Sequence, residues 1–223
     1  MTLRLDWCTH DAAKYACRYW HYSHSIPAGK LVKIGVWEFD KFIGCIIYSR
    51  GASPYLLERF KIDQTEGCEL TRVALRPHTA PVSRMLSISL KFLKKHCPGL
   101  RLVVSFADPE EGHVGGIYKA TNWVYTGRSN PTVENYVNGR WQHVRNSYHK
   151  IKGKTVQTRV RQGKHRYVMP LDAFARTLVE PFRQPYPVAE CARSTDSGTS
   201  GDQPEGGGAI PTRALNTAAT PEV

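Results

Sequence analysis

The sequence predicts an α/β (α+β) domain built on a mixed, mostly antiparallel central sheet flanked by helices, with a basic C-terminal extension. Three observations predict it. Two β-rich runs, Leu31–Glu38 and Phe42–Tyr48, are separated only by Phe39-Asp40-Lys41, a hairpin signature. An apolar-faced helix beginning near Ser83 lies between the runs Glu69–Leu75 and Leu102–Phe106. A strand–helix–strand with one short crossover makes a right-handed βαβ unit, which joins the hairpin in a single sheet.

The remaining elements follow in chain order. Asp11–Trp20 has helical spacing, with Ala12, Tyr15, Ala16 and Tyr19 on one face. Trp20-His21-Tyr22-Ser23-His24-Ser25-Ile26-Pro27-Ala28-Gly29-Lys30 is marked as a loop by its proline and glycine. A second loop runs over Gly51–Gly67. In the central helix Met85, Leu86, Ile88, Leu90, Phe92 and Leu93 form a broad apolar face; Ser83 is the expected N-cap and Pro98-Gly99 the stop. Leu102–Phe106 is continuously apolar, as in a strand buried on both faces. A short helix over Val114–Thr121 and a strand over Asn122–Thr126 complete the unit. Gly115-Gly116 inside that helix costs about 2 kcal/mol relative to alanine, which implies close approach of a backbone or ligand, or a kink.

Composition bounds the function. The chain has 223 residues, 41% apolar, with a formal charge of +12. From Cys191 onward two basic residues (Arg193, Arg213) face four acids (Asp196, Asp202, Glu205, Glu222), which leaves +14 on residues 1–190. A domain that basic is expected to meet a polyanion, and nucleic acid fits better than a membrane because no long basic amphipathic helix is visible. No apolar run reaches the ~18 residues of a membrane span, and no signal peptide is visible, so a cytoplasmic protein is expected. The six cysteines form no C-x-x-C pair and read as reduced core thiols. The expected organisation is a catalytic domain over residues 1–170, whose residues 135–170 form a basic DNA-binding region, a C-terminal segment over 171–190 and a disordered tail over 191–223 rich in Ser, Thr, Gly, Pro and Ala.

That basic region has no acid between Glu134 and Asp172. It contains Arg140, Arg145, Lys150, Lys152, Lys154, Arg159, Arg161, Lys164 and Arg166, interleaved with Tyr136, Trp141, Tyr148 and Tyr167. The cations suit phosphate contacts with counterion release, and the rings suit base stacking. Two further places carry chemistry. The turn before the Ser83 helix is either an ordinary capped turn or an anion site, because amides at a helix start point outward unpaired. Asp108, in Asp108-Pro109-Glu110-Glu111-Gly112-His113, stands at the carboxyl end of a buried strand, where it either caps a turn or positions a substrate and moves a proton.

Glu69-Leu70-Thr71-Arg72-Val73-Ala74-Leu75-Arg76-Pro77 resembles the cofactor strand of the acetyltransferase superfamily that uses acyl-coenzyme A. The stretch Gly116 to Gly127 resembles its later helix and strand. The resemblance implies an acetyltransferase-like sheet, a cofactor held by Val73, Leu75 and Ser83, and Tyr118 as the group that protonates a departing thiolate. The phosphate loop departs from that pattern. It reads His78-Thr79-Ala80-Pro81-Val82-Ser83, without the usual glycines and arginine, and its proline lacks a donor.

The chain to about residue 170 resembles something narrower, the Mom family of DNA-modification proteins of Mu-like phages. The carrying motifs are Trp20 to Lys30, Glu69 to Leu75, and Ser105-Phe106-Ala107-Asp108-Pro109-Glu110 through Gly116-Ile117-Tyr118. The resemblance implies conversion of adenine in double-stranded DNA to a carbamoylmethyl derivative on its exocyclic amine, in the host cytoplasm, which shields phage DNA from restriction. It implies a functional set of Arg72, Ser83, Asp108 and Tyr118, and an iron ion. The donor stays open between an acyl-coenzyme A and another glycine- or acetyl-derived molecule. The product joins nitrogen to a methylene carbon, so acyl transfer by Tyr118 alone is not the whole chemistry. His21, Tyr22 and His24 are the candidate iron ligands, with His113 or Glu69 to complete the set; the alternatives are polar loop residues or DNA contacts. An extruded adenine would sit against Trp20, Trp123 or Tyr125.

Overall fold

The computed structural model describes residues 2–151 and 155–188. Lys152, Lys154 and the tail expected over 191–223 lie outside the described residues. The elements are β1 (Leu3–Trp7), α1 (His10–Trp20), β2 (Leu31–Glu38), β3 (Lys41–Ser49), β4 (Gly67–Leu75), α2 (Val82–His96), β5 (Leu102–Ala107), α3 (Gly116–Lys119), β6 (Val124–Arg128), β7 (Thr132–Val137), β8 (Arg140–His143), α4 (Val144–Ser147), β9 (Thr158–Arg161), β10 (His165–Pro170) and α5 (Ala173–Val179).

Seven strands form one sheet in the order β1-β2-β3-β4-β5-β10-β6. Only β4 and β5 pair in parallel; every other pairing is antiparallel. The mixed, mostly antiparallel sheet expected from the sequence is therefore the observed one. Side-chain alternation sends Ile46, Tyr48 and Val103 to the face covered by α2 and α3, and Cys45 and Ile47 to the face covered by α1. Further along that second face α5 buries Ala175 and Val179 against Leu102, Val104 and Val168. Cys17, Cys45 and Cys68 are buried and unbridged, as small core residues.

Four expectations change. β1, which the sequence did not mark, adds an edge strand to β2. The helix α1 buries Ala13, Ala16 and Cys17, so Tyr15 and Tyr19, expected on the buried face, point to solvent at 53% and 57% exposure. The segment 165–170, expected in the basic DNA-binding region, is a central strand: β10 inserts between β5 and β6, pairing His165–Pro170 with Ala107–Leu102. Its one arginine, Arg166, is half-buried between the buried His165 and Tyr167. The segment 171–188 belongs to the same fold, since the Gln184 amide bonds the Tyr125 carbonyl at 2.9 Å and α5 lies in the core.

A separate three-stranded sheet, β8-β7-β9, branches off after β6. One of its faces carries Thr132, Glu134, Tyr136, Trp141, Arg159 and Arg161, from the registers Thr132↔Arg161, Glu134↔Arg159 and Tyr136↔Trp141. The two guanidiniums on that face run back to the segment after β5, as described below.

The glycine pair before and within α3 has an observed cause. Gly115 sits at φ +82°, and a β-carbon there would lie 2.3 Å from the Tyr167 ring; nothing lies within 4 Å of such an atom at Gly116. Replacing Gly115 by alanine therefore meets both a left-handed backbone and a buried ring. Urea denaturation should show Gly115→Ala losing about 2–4 kcal/mol, while Gly116→Ala stays within about 0.5 kcal/mol of the parent.

Candidate active site

Parallel pairing between β4 and β5 covers only Gly67–Leu70 against Leu102–Ser105. Beyond it both strands continue, β4 to Leu75 on the arm of β3 and β5 to Ala107 on the arm of β10, so a gap opens between them. A cavity of about 600 Å³ fills the gap. Its walls come from β4 (Leu70 to Val73, and Leu75), from the end of β5 (Phe106, Ala107), from the turn before α2 and its first residue (His78, Val82), from Gly112 to Tyr118, and from Trp20 at the end of α1 with His21 and Tyr22 after it. The helices α1 and α3 lie on opposite faces of the sheet, so the gap is where residues from both faces meet.

Tyr118 lies at the root of the gap. Its hydroxyl is 2.7 Å from Ser105 Oγ, and Ser105 Oγ donates to the Leu70 carbonyl at 2.9 Å. A serine has one hydroxyl hydrogen, so Tyr118 donates to Ser105 and keeps acceptor capacity only. Burial pushes the phenol up to about 12. Its ring stacks on Tyr167, 4.7 Å between centroids, and the Tyr167 hydroxyl donates to the Val114 carbonyl. Arg72 lines the cavity and ties its guanidinium to the carbonyls of Thr71 (2.7 Å) and Ser25 (3.3 Å), which anchors the Trp20–Lys30 loop to β4.

His21 accepts from the Ser23 amide at Nδ1, 3.1 Å. A backbone N–H can bond only an unprotonated ring nitrogen, so the hydrogen of the neutral imidazole sits on Nε2. Burial, then the Arg72 charge and His113, press its pKa down to about 4, so the ring is neutral at pH 7. Its ring centroid is 4.3 Å from that of Tyr22, and Tyr22 lies 5.6 Å from His113. His24 departs from the set. Its Nδ1 bonds the Arg18 carbonyl at 2.9 Å and it is not part of the cavity wall. Among the described residues no three His, Cys, Asp or Glu side chains converge on one point. The expected His21, Tyr22 and His24 set is thus not a chelate here, and these residues do not fit an iron ion as a set.

The turn before α2 holds an anion that the sequence did not announce. Glu38, buried at the end of β2, accepts from the amides of Thr79 (2.9 Å) and Ala80 (2.6 Å). Those hydrogen bonds, that from Thr79 foremost, hold its carboxyl below the usual range. Ser83 is correspondingly not the cap. The helix starts at Val82 with Pro81 as N-cap, and Ser83 is its second residue, outside the cavity wall. Of the expected cofactor residues, Val73 and Leu75 face the cavity and Ser83 does not. A coenzyme A pyrophosphate has two of its donors already taken by Glu38 and meets Pro81 where another would be, so the loop does not fit that group.

Asp108 is also corrected. It is 1% exposed, lies outside the cavity wall, and binds Arg161 Nη2 (2.8 Å) and Lys164 Nζ (3.0 Å) while accepting from the Glu110 amide. Arg161 is shared further with Glu110, Glu111 and Glu134. Arg159 binds Glu134 at 2.7 Å and lies 4.7 Å over the Trp141 ring. Arg159 and Arg161, expected as phosphate contacts, instead fasten the small sheet to the segment that forms one cavity wall. Arg140 stands exposed at the start of β8; Arg145 lies in α4 and Lys150 in the turn after it. Trp123 is fully buried and Tyr125 bonds His165 Nδ1 at 3.0 Å, so of the three expected base-stacking rings only Trp20 lines the cavity.

Residues 2–188 match the Mom protein family. The chain belongs to the Mom family. It is similar to the methylcarbamoylase mom of Escherichia phage Mu, 27% identical over 128 residues, which cover 55% of this chain and 52% of that protein. The chain thus matches about half the length of that curated relative. Among solved structures, this Mom family member overlaps the spermidine/spermine N-acetyltransferase SpeG of Vibrio cholerae, with a TM-score of 0.44 at 12% identity over 80% of this chain and 96% of that one. It also overlaps NAA60 of Arabidopsis thaliana in complex with a bisubstrate analogue, with a TM-score of 0.46 at 9% identity over 77% and 100%. No helix among the described residues is long and apolar enough to cross a membrane.

A pH test isolates the internal anion. Glu38 is depressed below its ordinary 4.5, so its contribution is full above that value and is lost as pH falls through the folded pKa. Urea midpoints of the parent should drop between pH 5 and pH 3 more steeply than those of Glu38→Gln, which is less stable at pH 7. Parallel pH profiles would show that the Thr79 and Ala80 amides do not hold the carboxylate.

Proposed function

We propose that this chain modifies adenine in double-stranded DNA, joining a carbamoylmethyl group to the exocyclic amine and so protecting phage DNA from restriction. The observation that carries the reading is the cavity at the β4–β5 gap. It pairs flat rings (Trp20, His21, Tyr22, His113) with a fixed tyrosine oxygen, in a Mom family chain that is similar to the phage Mu methylcarbamoylase. A cavity of about 600 Å³ is in the range that holds a base together with a small donor. An adenine in duplex DNA must leave the stack to reach it.

The site residues then take defined parts. An amine N–H of the base is held by the Tyr118 oxygen, which has only acceptor capacity left after donating to Ser105. With its pKa near 12 the phenol stays protonated at neutral pH, so it orients the amine rather than taking its proton. His21, neutral with hydrogen on Nε2, offers a donor to a ring nitrogen of the base. Arg72 brings the positive charge nearest the cavity and favours an anionic leaving group. In the transfer, N6 forms a bond to the methylene carbon and gives up one proton, which the departing leaving group takes up. The bond from that carbon to the donor breaks, and the leaving group departs with the electron pair. The donor is a carbamoylmethyl compound rather than coenzyme A, because Glu38 already holds the Thr79 and Ala80 amides.

The DNA outside the cavity meets Arg140 and the other basic residues of 140–154, including Arg145, Lys150, Lys152 and Lys154, rather than the carboxylate-bound Arg159 and Arg161. Expressed in a bacterium, the protein should yield a heavier adenosine species on nucleoside mass spectrometry. Tyr118→Phe and Arg72→Ala should lower that species at least about tenfold. Unmodified nucleosides from cells holding folded protein would overturn the reading. In the same preparation DNA affinity should fall steeply with salt, and Arg140→Ala should reduce the slope by about 1.

A further inference from the structure

The outward face of α1 carries a surface that the active-site reading does not use. Positions Lys14, Tyr15, Arg18 and Tyr19 are exposed there, where an amphipathic helix ordinarily shows charged residues alone. The Tyr15 and Tyr19 rings lie 4.6 Å apart, and the Arg18 guanidinium sits 5.6 Å from the Tyr19 ring. Tyr15 also touches Trp20, 5.4 Å between centroids, and Trp20 lines the cavity. His21, Tyr22 and His113 form a second run of rings on the cavity wall, 4.3 Å and 5.6 Å between successive centroids. Trp20 therefore joins the exposed rings of α1 to the wall of the cavity.

The geometry points to α1 as the element that fills the duplex when the target base leaves it: Tyr15 and Tyr19 stack on the base step that the extruded adenine vacates, while Lys14 and Arg18 hold the flanking phosphates. This rests on the reading that adenine in duplex DNA is the substrate. Exposed rings beside cations are the chemistry of base stacking. Trp20 belongs both to this exposed cluster and to the cavity wall, so a base held in the cavity brings its own strand to the α1 face. A second copy of the chain is the poorer occupant, since a two-fold contact through this face would set Lys14 and Arg18 of each copy against those of the other.

The test is the double variant Tyr15→Ala/Tyr19→Ala, at two exposed positions, with its fold checked by thermal melting. Modification is measured on a matched duplex and on one whose target adenine faces an abasic site and is already loosened. The double variant should lose about tenfold on the matched duplex, equivalent to ~1.4 kcal/mol, and less than about twofold on the loosened one. Equal loss on both substrates, or no loss on either, overturns the proposal, as does a sedimentation shift from dimer to monomer caused by the substitutions. Should the parent modify neither substrate, the substrate reading fails separately. The wedge is then judged on 2-aminopurine placed beside the target. Its fluorescence should rise when the parent binds and stay flat with the double variant; no rise with the parent overturns the wedge.

Discussion

The hydroxyl of Ser105 holds the last carbonyl of a ladder that stops. Where β4 and β5 part company, the Leu70 carbonyl would face an empty gap; Ser105 Oγ takes it, and Tyr118 bonds Ser105 in turn. A parallel pairing that ended without such a substitute would leave buried backbone groups unsatisfied, each costing about 1–3 kcal/mol. The arrangement makes the gap stable, and it places the one phenol of α3 at the gap's root with its hydrogen already committed. The cavity and the orientation of Tyr118 are thus two consequences of one side chain. Tyr167 supports both, since its ring stacks on Tyr118, its hydroxyl holds the Val114 carbonyl, and its position requires glycine at 115.

The second constraint is electrostatic. A helix start beside an open cavity is a ready anion site, and this chain fills it with its own carboxylate. The parity of the sheet explains how: β2 and β4 run in the same direction across β3, so the end of β2 and the end of β4 lie on one side of the sheet. Glu38 consequently arrives next to the turn that begins α2, and takes two of its amides. The scaffold keeps a cavity between diverging strands while two amides of the turn before α2 are bonded to Glu38.

How far the sequence reveals this depends on the range of each interaction. The β2–β3 hairpin and the β4–α2–β5 unit were legible because their periodicity is local and their apolar runs are unbroken. The strand β10 was not, because Arg166 sits within it and Lys164 just before it, so the run reads as charge; only insertion between β5 and β6 gives Tyr167 and Val168 an interior. The face of α1 was misread by one position, because tyrosine counts as apolar in any pattern and alanine and cysteine are small enough to pack either way. Within the site, Arg72, Val73, Leu75 and Tyr118 came from the motifs and face the cavity. Glu38 carried no signal, since a glutamate before a hairpin turn is ordinary, and its partners lie 41 and 42 residues away.

Asp108 and Arg161, which lie 53 residues apart, mark where charge counting fails. Thirty-seven residues without an acid suggest a uniformly available basic surface, but acids from elsewhere reach in: Asp108, Glu110, Glu111 and Glu134 together engage Arg159, Arg161 and Lys164. Four carboxylates against three cations leave this cluster one negative charge, so it contributes nothing to the attraction of a polyanion. It holds the small sheet against the segment running from Asp108 to His113, whose end is a wall of the cavity. Removing Asp108 would strip Arg161 and Lys164 of a carboxylate that is almost wholly buried, and such a loss acts through the position of that wall. An effect of Asp108 substitution on turnover is therefore the expected signature of a displaced cavity wall, with no need for the carboxylate to touch the reacting atoms.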